Sequence, residues 1–241
     1  MPRPIHAAAC IWNAEAKPHQ YVCCRRSFSL HRIAGGSAAC LEIAADSDFI
    51  LWVNGKEAGR GQWSDWPDRK TYTTVKIGHL LRKGKNQLAV LAYYRGEDFS
   101  EHCAGRAGLM AALVCDGIDL KTDATWRCLE HPAFRCGPMP RVTSQMGFTS
   151  EFDARRDISW QAEDFDDSAW PAASVFSGED SFWRELVPRP VPPLRIGQAL
   201  PVELRMQGDF IRQGELDSVA KTMGQDALIT LPMWEVFTPP A

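Results

Sequence analysis

An Asn-Gly pair at positions 54 and 55 separates two short runs of residues that favour extended backbone. The run before it, Phe49–Val53, is compact and apolar, and a returning run starts at Lys56. Asn-Gly between such runs is the strongest short-range signal for a β-hairpin, because both residues tolerate the positive φ angles that a type I′ turn requires. The sequence therefore predicts a hairpin here.

Short β-prone segments separated by turn residues continue along most of the chain. Tyr21–Leu30 places apolar residues on alternate positions, which is typical of a half-buried strand, and Asn86–Tyr94 is apolar on both faces, which predicts a central strand covered on both sides. No long stretch shows helical periodicity. Many short strands favour an all-β fold, an antiparallel sandwich of two sheets. The other predicted elements are strands at Leu41–Ile43, Thr71–Ile77, Leu109–Cys115, Ile118–Leu120 and Phe148–Phe152, and one helical turn at His79–Arg82.

A proline-rich stretch divides the chain into three predicted regions. Residues 187–194 read VPRPVPPL, which predicts a stiff, extended segment. We expect a β-sandwich over 1–187, a Pro-rich linker over 188–195, and a β-like tail over 196–241 that is either a short appendage or a truncated second domain. Within the tail, strands are predicted at Val202–Met206 and near Leu228–Leu231.

Composition excludes several classes of protein. With 241 residues, of which 45% are hydrophobic, the chain can bury enough apolar surface to fold without disulfides or metal. A net charge of -3 and the lack of a basic run argue against a nucleic-acid partner. No apolar run is long enough to span a bilayer, and the first residues lack the apolar stretch of a secretory signal, which predicts a cytoplasmic protein. No Gly-rich phosphate loop or other cofactor motif is found, so no cofactor is predicted.

The eight cysteines are predicted to be mostly buried, reduced thiols that behave as small hydrophobic residues. Cys23 and Cys24 are adjacent, so on a strand they point to opposite faces. The alternative is a zinc site built from Cys128, His131 and Cys136, although no C-x-x-C motif occurs. We predict no metal site.

Four segments, taken in order, resemble the N-terminal region of bacterial α-L-rhamnosidases. The Val-Asn-Gly hairpin and the following L-R-x-G-x-N-x-L-A-V motif also occur in sugar-binding jelly rolls of β-galactosidase and β-glucuronidase relatives. The F-D-A-R-R, D-D-S-A-W and P-R-x-x-P-P-L-R motifs narrow the resemblance to the rhamnosidase type. The four segments are Ala45–Gly61, Val75–Tyr94, Phe152–Trp170 and Leu186–Arg195.

The resemblance implies a galactose-binding-like jelly roll that precedes a helical catalytic toroid in the family. Nothing in this sequence is similar to that toroid, so no catalytic residue is carried over. The leading hypothesis is a noncatalytic, carbohydrate-associated accessory module of a glycoside hydrolase, which binds rhamnose-containing glycans. The alternatives are an assembly module that packs against a catalytic domain, a partner chain or itself, a rhamnosidase fragment that is inactive in isolation, and a small enzyme acting alone.

The loop Gln62–Arg69 offers one set of candidate carbohydrate-binding residues, Trp63, Asp65 and Trp66. Sugars present apolar C–H faces and many hydroxyls, so a binding site combines aromatic side chains with oriented polar groups. The competing interpretation is that the tryptophans pack over the end of the sandwich and the aspartates cap turns.

A second loop, Arg95–Arg106, follows the predicted central strand and offers Arg95, Glu97 and Asp98. Loops at the end of a sandwich are common positions for binding residues. The competing interpretation is a solvated loop with local ion pairs. A calcium site at Glu97 and Asp98 has the right ligand type, but the spacing matches no known calcium loop.

An acidic cluster precedes Trp170. Paired carboxylates can catalyse glycoside hydrolysis, but the resemblance implies that this segment is a structural turn in which aspartates cap exposed N–H groups. Asp153, Arg155 and Arg156 are expected to form a salt-bridged seam between the sheet and the following segment. The cluster comprises Glu163, Asp164, Asp166 and Asp167.

Overall fold

The computed structural model describes most of the first 193 residues. The chain divides into two compact units, Met1–Gly137 with Glu151–Pro192 and Pro138–Ser150 with Pro193–Ala241, which are described separately. The described residues are 3–32, 39–61, 65–115, 118–143, 147–176, 183 and 185–193, with 209–210 and 237–238 as backbone. The strands are β1 (Cys10–Trp12), β2 (Gln20–Leu30), β3 (Cys40–Asp46), β4 (Asp48–Val53), β5 (Lys56–Gly61), β6 (Arg69–Lys76), β7 (Gly84–Tyr94), β8 (Gly108–Val114), β9 (Arg127–Glu130), β10 (Arg141–Thr143), β11 (Gly147–Phe148), β12 (Ser174–Phe176), β13 (Glu185–Pro188), β14 (Asp209–Phe210) and β15 (Phe237–Thr238).

The first unit contains two sheets. One has six strands in the order β12-β1-β8-β3-β6-β13, and the other has five in the order β5-β4-β7-β2-β9. Adjacent strands are antiparallel except β13, which pairs parallel with β6. The predicted all-β antiparallel sandwich is therefore confirmed, whereas the finer jelly-roll assignment stays a prediction.

The core lies between the two sheets and follows from the alternation of side chains along each strand. From β2 it includes Val22 and Cys24, and from the central strand β7 it includes Leu88, Val90 and Ala92, all of them fully buried. The odd-numbered residues of β7 face the other side, where Ala89 is also buried. The prediction of a central strand covered on both faces is confirmed.

Two asparagines join the predicted hairpin to the next motif in the sequence. Asn54 and Gly55 have φ angles of 50° and 74°, as the predicted turn requires. The Asn54 side-chain amide donates to Asn86 Oδ1 at 3.0 Å and to the Leu80 carbonyl at 2.8 Å. Asn86 in turn accepts from the Arg82 amide at 2.9 Å. These bonds explain why the Val-Asn-Gly and Gly-x-Asn motifs occur together.

A largely irregular segment, residues 157–170, covers part of the outer face of the five-stranded sheet. Trp160 and Trp170 are buried against Cys23 and Ala89 of that sheet. The Trp160 ring also meets the Trp52 ring edge-on at 5.6 Å between centroids. Because edge-to-face aromatic pairs add stability beyond the buried area, these tryptophans anchor the segment.

The structure differs from the sequence prediction at two predicted strands. Ile118–Leu120 is not a strand, and the only pairing nearby in the described chain is an isolated bridge between Lys121 and Ala112. Phe148–Phe152 is not one strand either, because Phe148 ends β11 and Phe152 forms a separate bridge with Phe134. The residues are β-prone in both cases, but no continuous partner strand is available.

Four strands of the first unit were not predicted, namely β1, β9, β12 and β13. Each has three or four residues, so its formation depends on tertiary partners rather than on a local pattern. β13 contains Pro188, the first residue of the predicted linker, which is accommodated on an edge strand. The predicted helical turn is observed as a 3-10 turn at Gly78–Leu80.

The second unit includes two short antiparallel pairs, β10 with β11 and β14 with β15. In the first pair the Arg141 guanidinium lies 4.8 Å from the centre of the Phe148 ring. The strands predicted at Val202–Met206 and Leu228–Leu231 lie outside the described residues. The three-region division of the chain stays a prediction.

None of the helices among the described residues has the length and apolar character needed to cross a membrane.

Candidate functional site

Several strands begin or end at the same end of the sandwich, and polar residues come together there. β7 ends at Tyr94 and β4 begins at Asp48, whose Cα partner on β7 is Tyr93. The predicted site residue Arg95 follows β7 directly. Its backbone is fixed because the Arg95 amide donates to Ser47 Oγ at 3.2 Å and its carbonyl accepts from the His19 amide at 3.1 Å.

The Arg95 side chain lies among aromatic rings and one carboxylate. Its guanidinium carbon is 4.8 Å from the Phe99 ring centre and 5.9 Å from that of Tyr93. Arg95 Nη2 lies 3.6 Å from Asp48 Oδ2, and the Arg95 side chain is 23% exposed. We call Asp48, Tyr93, Arg95, Glu97 and Phe99 the Arg95 cluster. It combines partly exposed rings with charged groups, as sugar recognition requires.

His19 connects Glu97 to Tyr93 from below the surface. His19 Nε2 lies 3.3 Å from Glu97 Oε1, and His19 Nδ1 is 2.8 Å from the Tyr93 hydroxyl. Burial lowers the pKa of His19, and Glu97 only partly offsets this effect. The imidazole is therefore neutral at pH 7, so one ring nitrogen donates and the other accepts, which orients both partners.

Asp48 is the titratable group of the Arg95 cluster whose pKa is most informative. Although 38% of the Asp48 side chain is accessible, the protein around the carboxyl removes enough water to raise its pKa to about 6, and Arg95 opposes this shift. The carboxyl thus changes charge close to neutral pH. In its ionised form it accepts hydrogen bonds and pairs with Arg95, and in its protonated form it donates one.

Asp65 lies in a buried triad of charged side chains at the same end of the sandwich. Lys70 Nζ is 2.7 Å from Asp65 Oδ1 and 2.9 Å from Asp46 Oδ2, and all three side chains are at least nine-tenths buried. Asp65 Oδ2 also accepts from the Thr71 amide and hydroxyl. Burial alone would lower the pKa of Lys70, but the two carboxylates outweigh it and raise the pKa. These contacts make Asp65 a support of the loop.

Trp66 is the most exposed large hydrophobic residue of the described chain, with 65% of its surface accessible. It begins a tight turn in which the Arg69 amide donates to the Trp66 carbonyl at 3.1 Å. An exposed indole of this kind can receive the apolar face of a sugar. The other predicted tryptophan, Trp63, lies outside the described residues.

The remaining predicted site residues, Glu97 and Asp98, follow Arg95 in the same loop. Asp98 Oδ1 accepts from the Ala104 amide at 2.6 Å, which closes the loop on itself. Buried His102 lies in the same loop, where burial, Arg95 and Lys70 lower its pKa although Asp46 and Asp98 oppose them. Arg95 and Glu97 thus meet around Tyr93, whereas Asp65 and Trp66 belong to the neighbouring β6 corner. Sequence reasoning missed Asp48, Tyr93 and His19, because they become neighbours of Arg95 only through the strand register.

The residues of the alternative zinc site do not converge. Cys128 points into the core, where its Sγ contacts Cys24. His131 Nδ1 accepts from the Ala133 amide, and Cys136 Sγ lies near the Tyr21 amide. In the described part of the chain, no group of three or more His, Cys, Asp or Glu side chains is placed to hold a metal ion.

The acidic segment makes structural contacts. Asp167 Oδ2 lies 2.8 Å from Nε of the buried Arg25, whose guanidinium also bonds to backbone carbonyls of the same segment. Glu163 pairs with Arg82, and Asp166 accepts from the Ser168 amide. The prediction that Asp153, Arg155 and Arg156 form a salt-bridged seam to the sheet is wrong. Asp153 pairs instead with Arg155, two residues away in the same segment. Arg25 forms the actual seam between the sheet and this segment.

The sheet order defines this protein as a β-sandwich of mostly antiparallel strands. A partly exposed cluster of polar and aromatic side chains lies where several of these strands begin or end. The chain belongs to the family of alpha-L-rhamnosidase N-terminal domains, whose model matches residues 37–198. No sequence match is found among curated proteins.

Solved structures agree with this assignment. A GH78 family rhamnosidase of Bacillus sp. GL1 is 35% identical over 77% of this chain and 20% of its own, with a TM-score of 0.71. An alpha-L-rhamnosidase from Dictyoglomus thermophilum is 21% identical over 80% of this chain and 23% of its own, with a TM-score of 0.60. A lectin from Pleurotus ostreatus, solved with GalNAc, shares the fold at 19% identity, 80% and 50% coverage, and a TM-score of 0.51. The chain therefore spans about a fifth of the length of the rhamnosidases.

Proposed function

We propose that this chain is a noncatalytic, carbohydrate-associated module of an α-L-rhamnosidase-like protein and that it binds rhamnose-containing glycans at the Arg95 cluster. The observation that carries the proposal is the partly exposed Arg95 between Asp48 and two aromatic rings. Membership in a family of rhamnosidase N-terminal domains supports a rhamnose-containing glycan as the ligand to test. The cytoplasmic location remains a prediction.

The chemistry of the Arg95 cluster suits a deoxysugar. The methyl-bearing face of rhamnose is apolar and can lie against an aromatic ring, while its hydroxyls can pair with a guanidinium and a carboxylate. Trp66 and Asp98 extend the proposed contact surface along the same edge, and Trp63 is included on sequence grounds alone. Asp65 acts indirectly by holding Lys70 and Thr71.

We expect weak binding. The cluster is a surface arrangement of a few groups, so the favourable interaction energy barely exceeds the entropy lost on association. The Glu97 and Asp48 carboxylates are each more than a third exposed, and water competes for both. A dissociation constant in the millimolar range, about -4 kcal/mol, fits such a site.

The test is a titration of the chain with L-rhamnose and with a rhamnosylated flavonoid, followed by tryptophan fluorescence and by NMR. Arg95→Ala should weaken binding at least tenfold without unfolding the protein. Arg155→Ala is the matched control, because Arg155 is an exposed arginine whose carboxylate partner, Asp153, lies in a separate turn.

The same samples are assayed for hydrolysis of nitrophenyl α-L-rhamnoside. Saturable binding without turnover, lost in Arg95→Ala and kept in Arg155→Ala, supports the proposal. Turnover that disappears on changing one carboxylate would instead identify a small hydrolase. Equal sugar affinity of the two arginine variants would show that the Arg95 cluster is not part of the binding site.

A second candidate function is packing against a catalytic domain or partner chain. Phe152 and Ile158 are exposed large hydrophobic residues, 47% and 36% accessible, in the segment that follows residue 150. An exposed apolar patch to which both side chains contributed would favour a protein interface. If the chain binds no sugar, a soluble catalytic domain supplied as a separate chain should bind it, and Phe152→Ser should weaken that complex.

A further inference from the structure

Two cysteines face each other inside the sandwich, on the neighbouring strands β2 and β9. Cys24 and Cys128 are direct Cα partners in the antiparallel register, and their Sγ atoms lie 3.1 Å apart. Both side chains are buried in the core, although 104 residues separate them in the sequence. The proposed sugar-binding function makes no use of this contact.

The backbone around this pair is arranged as a cross-strand disulfide requires. The Cys128 amide donates to the Pro171 carbonyl at 3.1 Å and therefore points away from β2. Cys24 and Cys128 thus form a non-hydrogen-bonded pair, for which the Cα atoms are about 4.5 Å apart. Disulfides form across Cα separations of about 4.4 to 6.8 Å. The sulfur atoms need to approach by about 1 Å to reach the bond length of about 2.05 Å.

We propose that Cys24 and Cys128 are a site of reversible oxidative modification, at which an intramolecular disulfide ties β9 to β2. All eight cysteines are free thiols in the structure, which is the reduced state. The oxidant class is a peroxide or a small disulfide such as oxidised glutathione. The pair would remain reduced in a reducing compartment and would close under oxidative conditions.

The reaction with hydrogen peroxide balances without a further reactant. One cysteine sulfur attacks a peroxide oxygen, the O–O bond breaks, and a sulfenic acid and one water form. The second sulfur then attacks the sulfenic sulfur, the S–O bond breaks, and the leaving hydroxide takes up the thiol proton as a second water. Two thiols and one peroxide give one disulfide and two waters, and each sulfur loses one electron.

The position of β9 provides access to the buried pair. β9 has four residues and is the last strand of the five-stranded sheet, so its separation from β2 leaves the other strand pairs of that sheet intact. The backbone on its outer side is bonded only to Pro171 and Ala172 among the described residues. Burial raises the pKa of Cys24, which keeps its thiol protonated. Oxidation of the folded protein is therefore slow, whereas oxidation during refolding, before β9 is closed, is faster.

Cys23 provides an internal control for the proposal. It adjoins Cys24 on β2 and is equally buried, but it faces the opposite side of the sheet, and its Cα partner on β9 is Leu129. Cys103 is an exposed thiol in a loop and reports general reactivity. Selective pairing of Cys24 with Cys128 thus cannot follow from burial or from exposure alone.

The test is disulfide mapping of the full chain. Cys23→Ser protein is refolded in a glutathione redox buffer, the remaining thiols are alkylated in denaturant, and the unreduced digest is analysed by mass spectrometry. The variant is needed because Cys23 and Cys24 are adjacent in one tryptic peptide, so fragment ions separate them poorly. Cys10 lies in the same peptide but is far enough from Cys24 in the sequence to be distinguished by fragmentation. We expect a Cys24–Cys128 link in most molecules and a melting temperature about 10 °C above that of the reduced protein, since the bond closes a long loop.

Three outcomes decide the proposal. A dominant Cys24–Cys128 link supports it, and Cys24→Val or Cys128→Val should then abolish both the link and the temperature shift. Thiols that stay alkylatable at both positions while Cys103 is oxidised would overturn it. Links distributed evenly over the other cysteines would overturn it too. Mapping alone is sufficient if a valine variant fails to fold, and no arm of the test depends on sugar binding.

Discussion

Arg25 lies within a strand of the five-stranded sheet and Arg95 directly follows another strand of it, but the two side chains have different surroundings. Arg25, in the middle of β2, is 1% exposed and bonds to Asp167 and to three backbone carbonyls of the segment 157–170. Arg95, just after β7, is 23% exposed, and its closest carboxylate lies 3.6 Å away. The first arginine is saturated by the protein and the second is only partly engaged.

The difference shows that one part of a sheet can stabilise the fold while another part is available to bind a ligand. A guanidinium has five donors, and when the protein satisfies them in a buried setting the residue holds two elements together. When the same group lies over aromatic rings at the surface, it can exchange water for a ligand. The part of the sheet that the segment 157–170 covers, which we call the covered half, is therefore structural. We propose ligand binding at the other part, around Asp48 and Tyr93, which we call the open half.

The largest effect is expected from Arg25→Ala. The change leaves the carbonyls of Trp160, Ala162 and Phe165 without their donor and removes the partner of Asp167. Breaking a buried, hydrogen-bonded charge pair costs about 3–5 kcal/mol. Urea denaturation should show this loss in the free energy of unfolding.

Arg26→Ala is the matched control for that experiment, because Arg26 is the next residue of β2 and faces the opposite side. Its Nη1 donates to the Thr125 carbonyl at 3.3 Å, and we expect a loss of about 1 kcal/mol. Equal losses in the two variants would contradict the assignment of Arg25 as the seam.

A smaller, pH-dependent effect is expected at Asp48. The carboxyl should titrate near pH 6 by carbon NMR, because burial raises its pKa to that value from 3.8. The folded protein therefore binds more protons than the unfolded chain between about pH 4 and pH 6, so this group makes the free energy of unfolding fall as the pH rises through that window. Sugar affinity should increase between about pH 5 and pH 7, because the carboxylate of the folded protein forms around its pKa of about 6.

Two variants sharpen the interpretation of that titration. Asp48→Asn should remove this part of the pH dependence of stability. Arg95→Ala should raise the midpoint further, because Arg95 favours the ionised carboxylate. A midpoint near 4 in the unmodified protein would show that Asp48 is fully hydrated and would weaken the contrast between the two arginines.

The smallest effect is expected at the rim of the covered half. Arg82 pairs with Glu163, and the two side chains are 49% and 41% exposed. Exposed ion pairs contribute at most about 1 kcal/mol. A double-mutant cycle with Arg82→Ala and Glu163→Ala should give a coupling energy below that value, and adding salt should reduce it. A coupling energy of several kcal/mol would mean that the Arg82–Glu163 pair, rather than Arg25, is the main contact that fixes the segment 157–170 to the sheet.

The sandwich was predictable from the sequence because its main strands are long and have clear patterns of apolar residues. The hairpin at Asn54 and Gly55 and the doubly covered strand at Asn86–Tyr94 have local signals that tertiary contacts reinforce. Ile118–Leu120 has a similar local pattern but lacks a continuous partner strand. Short edge strands such as β9 and β13 exist only because the rest of the sheet provides partners.

The candidate site was predictable only in part. Arg95 and Glu97 were identified because they follow a central strand, and loops at strand ends commonly carry function. Asp48 and His19 were missed because they are distant in sequence, and only the register of β2, β4 and β7 brings them to Arg95. The ion triad around Lys70 was missed for a related reason, because Asp46 on β3 reaches Lys70 only through the pairing of β3 with β6.

The most direct test of recognition at Arg95 is amide chemical-shift mapping of the labelled chain during titration with L-rhamnose. We expect saturable shifts at residues 93–99 and at Asp48, with residues 157–170 unaffected and the pattern lost in Arg95→Ala. Saturable shifts confined to residues 157–170, or no saturable shifts in the open half, would contradict the placement of recognition at Arg95.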